Sequence, residues 1–189
     1  MKIYKNIALY FSVLFITELT FLTSCVNKQK PANNDPNIIF IMADDHARRT
    51  ISAYGHDINH TPNIDRIAEE GAIFRNCFCG NSICGPSRAS ILTGKHSHKH
   101  GVVGNAKDWD STQMVFPRIM KHAGYETALI GKWHLNSKPA DEFDYYNILT
   151  GAGKQGFYYN PDFYNPEKGT KMVHGYSTDL VTDQALEWL

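Results

Sequence analysis

The sequence has no excess of charge of either sign. Its 189 residues carry 19 Lys+Arg against 19 Asp+Glu, a formal net charge of zero. That balance gives no reason to expect nucleic acid or an anionic membrane surface as a partner, while leaving room for a compact anion site in a neutral surface. Cysteine is scarce, four in all, and paired Cys-x-x-Cys spacing is missing. A zinc site built from Cys77, Cys79 and Cys84 is therefore only the runner-up for that cluster, since it also lacks an obvious fourth ligand. No internal repeat is visible, and the length leaves room for one domain. Hydrophobic residues at 42% and aromatics at 12% are the balance of a folded globular protein.

The N-terminus is read apart from the fold. Lys2 and Lys5 precede an apolar run over residues 7–22, the pattern of an export signal. Glu18 inside that run argues against a stable transmembrane span. The run ends Leu22-Thr23-Ser24-Cys25, which resembles a bacterial lipoprotein box. The expectation is a lipoprotein signal peptide over residues 1–24, cleavage before Cys25 and acylation of its sulfur. A polar tether follows over residues 25–36, with Lys28, Lys30, Pro31 and Pro36. The mature protein would then be exported and lipid-anchored to a membrane, in the periplasm or at the outer membrane or cell surface. An ordinary signal peptide or a membrane-anchoring helix is the plainer alternative. Without Cys25 three cysteines remain, so at least one is outside any internal disulfide. Cys77 and Cys79 bridge each other poorly, because alternate residues of a strand face opposite ways.

The stretch Cys-Gly-Pro-Ser-Arg-Ala-Ser-Ile-Leu-Thr-Gly-Lys over residues 84–95 organises the chain. It reads as a thiol in a tight loop, then Pro86, then a short helical run over residues 87–92 carrying Arg88. Proline is tolerated at a helix start, where its missing N–H would be an orphan anyway. A nucleophile there meets free backbone N–H groups and the positive end of the helix dipole. Arg88, four residues on, lies about one helical turn away and can reach back to position 84.

Upstream, residues 37–43 form a continuous apolar run, read as a strand buried on both faces. It leads into Asp44-Asp45-His46. Adjacent carboxylates at the end of a buried strand are costly unless neutralised, and a bound cation is the usual answer; a helix cap plus a surface acid is the alternative. His46 is a candidate for lining. Thr61-Pro62 starts a helix with Asp65 in its first turn, Gly71 as its stop, and Ile64, Ile67 and Ala68 as its buried face. Residues 72–78 read as a strand. His96, His98 and His100 read as solvated loop residues with no metal role. Residues 113–123 read as a helix and 125–130 as a strand, which delivers Gly131-Lys132-Trp133-His134-Leu135. The aromatic-rich residues 144–166 lack clean periodicity and read as a loop, either lining sugar subsites or packed on themselves. Residues 177–189 read as a helix capped by Ser177, with Leu180, Val181, Ala185, Leu186 and Leu189 as its apolar stripe. The layout is α/β with a buried sheet and flanking helices.

Cys-x-Pro-Ser-Arg followed by Leu-Thr-Gly resembles the signature of type I, formylglycine-dependent sulfatases. The Asp44-Asp45 pair, the Thr-Pro-Asn-x-Asp helix and Gly-Lys-x-His at residues 131–134 resemble further elements of that family. The resemblance spans residues 37–189 and implies the alkaline-phosphatase/sulfatase-like α/β fold, here its N-terminal part. It implies that a sulfatase-maturating enzyme oxidises Cys84 to formylglycine, whose hydrate attacks sulfur with one hydroxyl and expels sulfate with the other. It implies Ca²⁺ or Mg²⁺ held by Asp44, Asp45 and the hydrate of residue 84, with Arg88 holding that hydrate. Lys132 would contact the sulfate, and His134 would be the base that triggers elimination.

In that family a second pair of metal ligands and a further histidine and lysine lie downstream, and residues 1–189 hold no counterpart. The expectation is that this polypeptide alone lacks turnover and a complete core. The text around residues 131–135 and 156–163 is similar to bacterial N-acetylglucosamine-6-sulfatases, which implies a sulfated glycan as substrate. Two alternatives stand beside this: a phosphodiester or phosphonate hydrolase of the same superfamily, and a non-catalytic surface lipoprotein that binds sulfated glycans. A cysteine phosphatase is disfavoured, because Arg88 is four residues after Cys84 rather than the six of a phosphate-cradling loop.

Overall fold

The computed structural model describes residues 35–189. The signal peptide, Cys25 and nearly all of the tether lie outside the described residues. No helix among the described residues is long and apolar enough to cross a membrane. Residues 44–189 form one compact unit, and residues 35–43 belong to a separate one.

The strand expected over residues 37–43 is not formed. These residues are irregular, and Ile38, Ile39, Phe40 and Ile41 are exposed. No described strand pairs with the run, so its backbone donors and acceptors have no ladder to join. The expected strand over residues 72–78 is likewise absent, with Phe74 and Phe78 exposed.

Within the unit of residues 44–189, helix α1 spans Pro62–Glu70 and ends at Gly71 as its sequence predicts. Thr61 makes no side-chain cap to it. Its hydroxyl instead bonds the Asp65 carboxylate at 2.9 Å and accepts the Ser52 N–H at 3.0 Å. Ile64 and Ile67 are exposed rather than buried, because no described element covers that face. Helix α2 spans Cys84–Thr93, α3 is the single turn Ser97–His100, and α4 is Phe116–His122. The last is shorter than the expected 113–123. Its apolar residues are only partly inside: Val115 and Pro117 are buried, whereas Met114 and Ile119 are exposed.

Strand β1 is Ala128–Gly131 and pairs in parallel with β2, Tyr145–Thr150, with Ala128 opposite Tyr145 and Gly131 opposite Ile148. Strands β3, Asp162–Asn165, and β4, Gly169–Met172, continue the sheet antiparallel, in the order β1-β2-β3-β4. The aromatic-rich stretch read as a loop therefore supplies two strands. Its alternation is short but real: Tyr146 and Ile148 are buried while their neighbours Tyr145 and Asn147 are not. Helix α5, Ser177–Trp188, packs on β1, where Val181 lies against Gly131. Its stripe is half-exposed, with Leu186 and Leu189 outside.

The core joins Ala89 and Leu92 of α2 to Val102, Trp109, Val115, Trp133, Leu135, Phe143, Tyr146 and Ile148. Trp133 meets the rings of Trp109 and Phe143 edge-on at centroid distances of 6.2 and 6.3 Å, a favourable aromatic geometry. Its indole N–H donates to the Ser137 carbonyl at 2.7 Å. The buried Glu142 carboxylate accepts the Trp109 indole N–H at 3.3 Å and the Ala140 N–H. This cluster pins the two ends of the site's scaffold, α2 and the loop after β1.

Candidate active site

Helix α2 starts at Cys84, three residues earlier than the sequence suggests. Pro86 is accommodated because first-turn N–H groups need no helical partner. The first helical bond runs from the Ser87 N–H to the Ile83 carbonyl at 2.9 Å. Cys84 thus stands in the first turn, and Arg88 follows one turn later on the same side. The Arg88 guanidinium lies close enough to Cys84 for the two to interact electrostatically. It donates to the Lys132 carbonyl at 2.5 Å and to the Asp44 carboxylate at 3.5 Å, tying together three stretches remote in sequence.

The loop after β1 presents Lys132 and His134. Gly131 has φ of +105°, and a Cβ there would sit 3.3 Å from Val181, so position 131 calls for glycine on both counts. Trp133 and Leu135 are buried in the core, which fixes the residues between and before them. The Lys132 ammonium bonds the Asp44 carboxylate, lies 3.5 Å from the Cys84 sulfur and donates to Gln155 Oε1 at 3.1 Å. His134 is buried, in the left-handed region at φ +53°. Asp45 is also left-handed, at φ +52°. Such conformations cost roughly 1–3 kcal/mol each and concentrate at functional sites.

The electrostatics are those of a cation-rich pocket around one carboxylate. Burial alone would raise the pKa of Asp44, but Lys132 and then Arg88 outweigh it and hold the carboxyl below its ordinary value. Burial, then the charges of Lys132 and Arg88, push His134 down, so its imidazole is neutral at neutral pH. Two buried polar atoms here, Arg88 Nε and His134 Nδ1, have no partner among the described residues. Buried groups of this kind ordinarily find one, which fits a site built to receive a polar guest.

Asp44, Asp45 and Cys84 each offer a donor atom, and the three atoms lie within 4.8 Å of one another. Among the described residues this is the acidic group that could hold a metal ion. Cys77 and Cys79 are exposed free thiols outside it, so the three-cysteine zinc alternative is not formed. Two carboxylates suit a hard cation such as Ca²⁺ or Mg²⁺, whereas a thiol does not. An oxygen in place of the Cys84 sulfur would complete a consistent donor set.

Of the six residues that the sequence singles out, Asp44, Asp45, Cys84, Arg88 and Lys132 come together, and His134 lies buried within the electrostatic reach of Lys132, Arg88 and Asp44. Sequence reasoning placed the aspartates at a strand end that is not formed. It missed Gln155 and Lys154, which the tight turn Ala152–Lys154 and its neighbours bring to this side; Lys154 donates to Asn136 Oδ1 at 3.0 Å. The glycines at 151, 153 and 156 mark a tight turn, but nothing in the sequence says which way its polar side chains point. It also missed Asn105, whose side-chain oxygen accepts the Gly85 N–H at 2.8 Å. His46 is exposed. Of the three histidines read as solvated, His96 and His98 are exposed but His100 is buried.

Comparison with known proteins gives the family. The Sulfatase family model matches residues 36–189. The chain is 50% identical over 169 residues to an N-acetylglucosamine-6-O-sulfatase of Bacteroides thetaiotaomicron, covering 89% of this chain and 30% of that protein. It is 34% identical over 124 residues to the human N-acetylgalactosamine-6-sulfatase, covering 57% of this chain and 23% of the relative. A solved structure in complex with its substrate D-glucosamine-2-N,6-O-disulfate superimposes with a TM-score of 0.78 at 50% identity, over 81% of this chain and 31% of that one. A Bacteroides fragilis structure at 22% identity, TM-score 0.72, covering 81% of this chain and 40% of its own, shares the fold. The chain thus spans about a third or less of the curated relatives it matches. With the family's model covering residues 36–189, the chain belongs to the Sulfatase family.

Proposed function

We propose that the protein is a sulfuric ester hydrolase acting on a sulfated glycan, with the 6-sulfate of an N-acetylglucosamine unit as its target. The observation that carries this reading is the approach of the Asp44, Asp45 and Cys84 donors within 4.8 Å of one another, with Lys132 and Arg88 at Asp44. The sugar is supported by the names of the relatives at 50% identity. Export and lipid anchoring through Cys25 belong to the same proposal, as does conversion of Cys84 by a maturating enzyme.

Transfer of a sulfuryl group requires an attacking oxygen, cations on the oxygens of the sulfuryl group and a proton for the departing alcohol. Asp44, Asp45 and residue 84 would hold a divalent cation, which when bound lowers the pKa of a neighbouring hydroxyl and polarises sulfate. Formylglycine at position 84 supplies, as its hydrate, two hydroxyls on one carbon. Lys132, 3.5 Å from the Cys84 sulfur, puts a fixed positive charge where sulfate oxygens gather negative charge. Arg88 keeps the Lys132 backbone and Asp44 in register and offers its unpartnered Nε–H to an oxygen at the centre. His134, neutral and with Nδ1 unpartnered, is available to take a proton.

Mass spectrometry of the peptide spanning Cys84, from protein matured in its own host, tests the reading. It expects the side chain to be an aldehyde rather than a thiol. Release of inorganic sulfate from N-acetylglucosamine-6-sulfate, set against hydrolysis of an aryl phosphodiester, tests the ester class. A thiol at position 84 together with metal-independent glycan binding would favour the non-catalytic alternative.

A further inference from the structure

Helix α2 carries residue 84 in its first turn but has no cap of its own. Its N-cap position is Ile83, in extended conformation, with no side-chain hydrogen bond to the helix. An apolar residue cannot supply the oxygen that Ser, Thr, Asp or Asn would bring there. Pro86 removes one orphan donor. Of the donors that remain at the start, the Gly85 N–H is met from outside the helix: Asn105 Oδ1, twenty residues away in sequence, accepts it at 2.8 Å. The fit is close: a Cβ at Gly85 would lie 3.1 Å from that same oxygen and 3.3 Å from the His134 carbonyl.

The same segment also grips the far half of the helix. His100, at its start, is buried, and its Nε2 lies 3.0 Å from Ser90 Oγ. Its Nδ1 accepts the Val102 N–H at 3.1 Å, so the ring proton is on Nε2 and the hydroxyl of Ser90 accepts it. Val102 is buried in the core beside α2. Residues 100–105 thus run along the helix, fastened at Ser90 and again at Gly85.

We propose that Asn105 is a positioning residue for the nucleophile: a cap supplied from a distant loop, which holds the first turn of α2, and with it residue 84, against Asp44 and Lys132. The proposal rests on the sulfatase reading for its catalytic consequence, but not for the cap itself. The helix would form without Asn105, since α2 is buried at Gly85, Pro86, Ala89 and Leu92; the change would be local, a Gly85 N–H left without its acceptor in a buried first turn. Small displacements of a reacting group are costly, on the order of a hundredfold for an ångström.

The test uses the protein expressed from its full reading frame and compares Asn105→Ala, Asn105→Leu and Asn105→Asp with wild type. Rates are normalised to the aldehyde content at position 84. For Asn105→Ala and Asn105→Leu the expected result is a fall in kcat of roughly ten- to a hundredfold, with KM changed less than about threefold. Asn105→Asp keeps the accepting oxygen and adds a charge favoured at a helix N-terminus, so it should recover most of kcat. Amide hydrogen exchange of the peptide covering residues 84–88 should quicken in the Ala and Leu variants and not in the Asp variant, whatever the activity. Faster exchange there with unchanged melting temperature supports the cap. Unchanged exchange in Asn105→Ala, a kcat within twofold of wild type, or an Asp variant no better than Ala overturns it. Loss of sulfate release in the wild type itself would sink the sulfatase reading, and the exchange measurement would still decide the cap.

Discussion

The Lys132 ammonium joins the two halves of the centre: it bonds the Asp44 carboxylate and lies 3.5 Å from the Cys84 sulfur. A cation in that position serves both to hold the carboxylate ionised and to meet an anion at position 84. Lys132→Ala should therefore lower kcat/KM for sulfate release by roughly a hundred- to a thousandfold, the range for loss of one such electrostatic donor. Lys132→Arg should recover only part of this, because a planar fork does not reproduce a compact ammonium. Steady-state kinetics of the three proteins check it; full recovery by arginine would show that only net charge matters there.

The metal assignment makes a separate prediction. Asp44 already answers two cations, Lys132 and Arg88, whereas Asp45 makes no ion pair among the described residues. Asp45 is thus the carboxylate whose charge is least used by the protein itself. Prolonged chelation should abolish sulfate release, and Ca²⁺ or Mg²⁺ should restore it. Asp45→Asn should weaken the metal by more than the roughly ten- to hundredfold typical for loss of a residue behind a ligand, while leaving the melting temperature of the metal-free protein within about 1 °C. Asp44→Asn should also lower metal-free stability, because it leaves two largely buried cations, Lys132 and Arg88, without the carboxylate they share. Calorimetric metal titration together with melting curves separates the two.

The site was legible because its residues cluster in short motifs whose chemistry is specific: Asp44-Asp45, Cys84 to Arg88, and Lys132 with His134. The fold was less so. Ile38 to Ile41, Ile64 and Phe74 look like core in sequence and are exposed here, since periodicity reports a wish for burial and not the presence of a neighbour. Tyr145 to Thr150 reads as loop because tyrosine and asparagine dilute the alternation, although Tyr146 and Ile148 are buried. His100 looked like one of three equivalent histidines; only tertiary packing distinguishes it, by enclosing its ring against Ser90 and Val102.

Gln155 bears on affinity more than on rate. Its carbonyl oxygen accepts from Lys132 at 3.1 Å, so the turn that follows β2 touches the cation expected to meet sulfate. Removing a neutral partner frees the ammonium to move without removing its charge. Gln155→Ala should raise KM about three- to tenfold and change kcat less than threefold, a loss of about 1 kcal/mol of the kind typical for one hydrogen bond. A kcat effect as large as that of Lys132→Ala would instead place Gln155 at the reacting atoms.

His100 makes the stability depend on pH in a defined direction. Burial, with Lys95 and His98 adding to it, pushes its pKa below the ordinary histidine value of 6.5. Protonation would also place a hydrogen on Nδ1, where the Val102 N–H already donates. A histidine lowered in the folded state is matched by an unfolded chain that binds the proton more readily, so stability rises with pH between the folded value and 6.5. Its contribution is fully present above pH 6.5 and is lost as the pH falls below that, by at most about 1.4 kcal/mol per pH unit for one proton. His100→Leu cannot titrate and leaves the Val102 N–H and the Ser90 hydroxyl without their partner, which should cost about 1–3 kcal/mol at pH 8. The difference in unfolding free energy between wild type and His100→Leu should therefore shrink from pH 8 to pH 5 in denaturant titrations. A difference that stays constant across that range would mean that His100 does not titrate there, and that the acid limb of stability belongs to other groups.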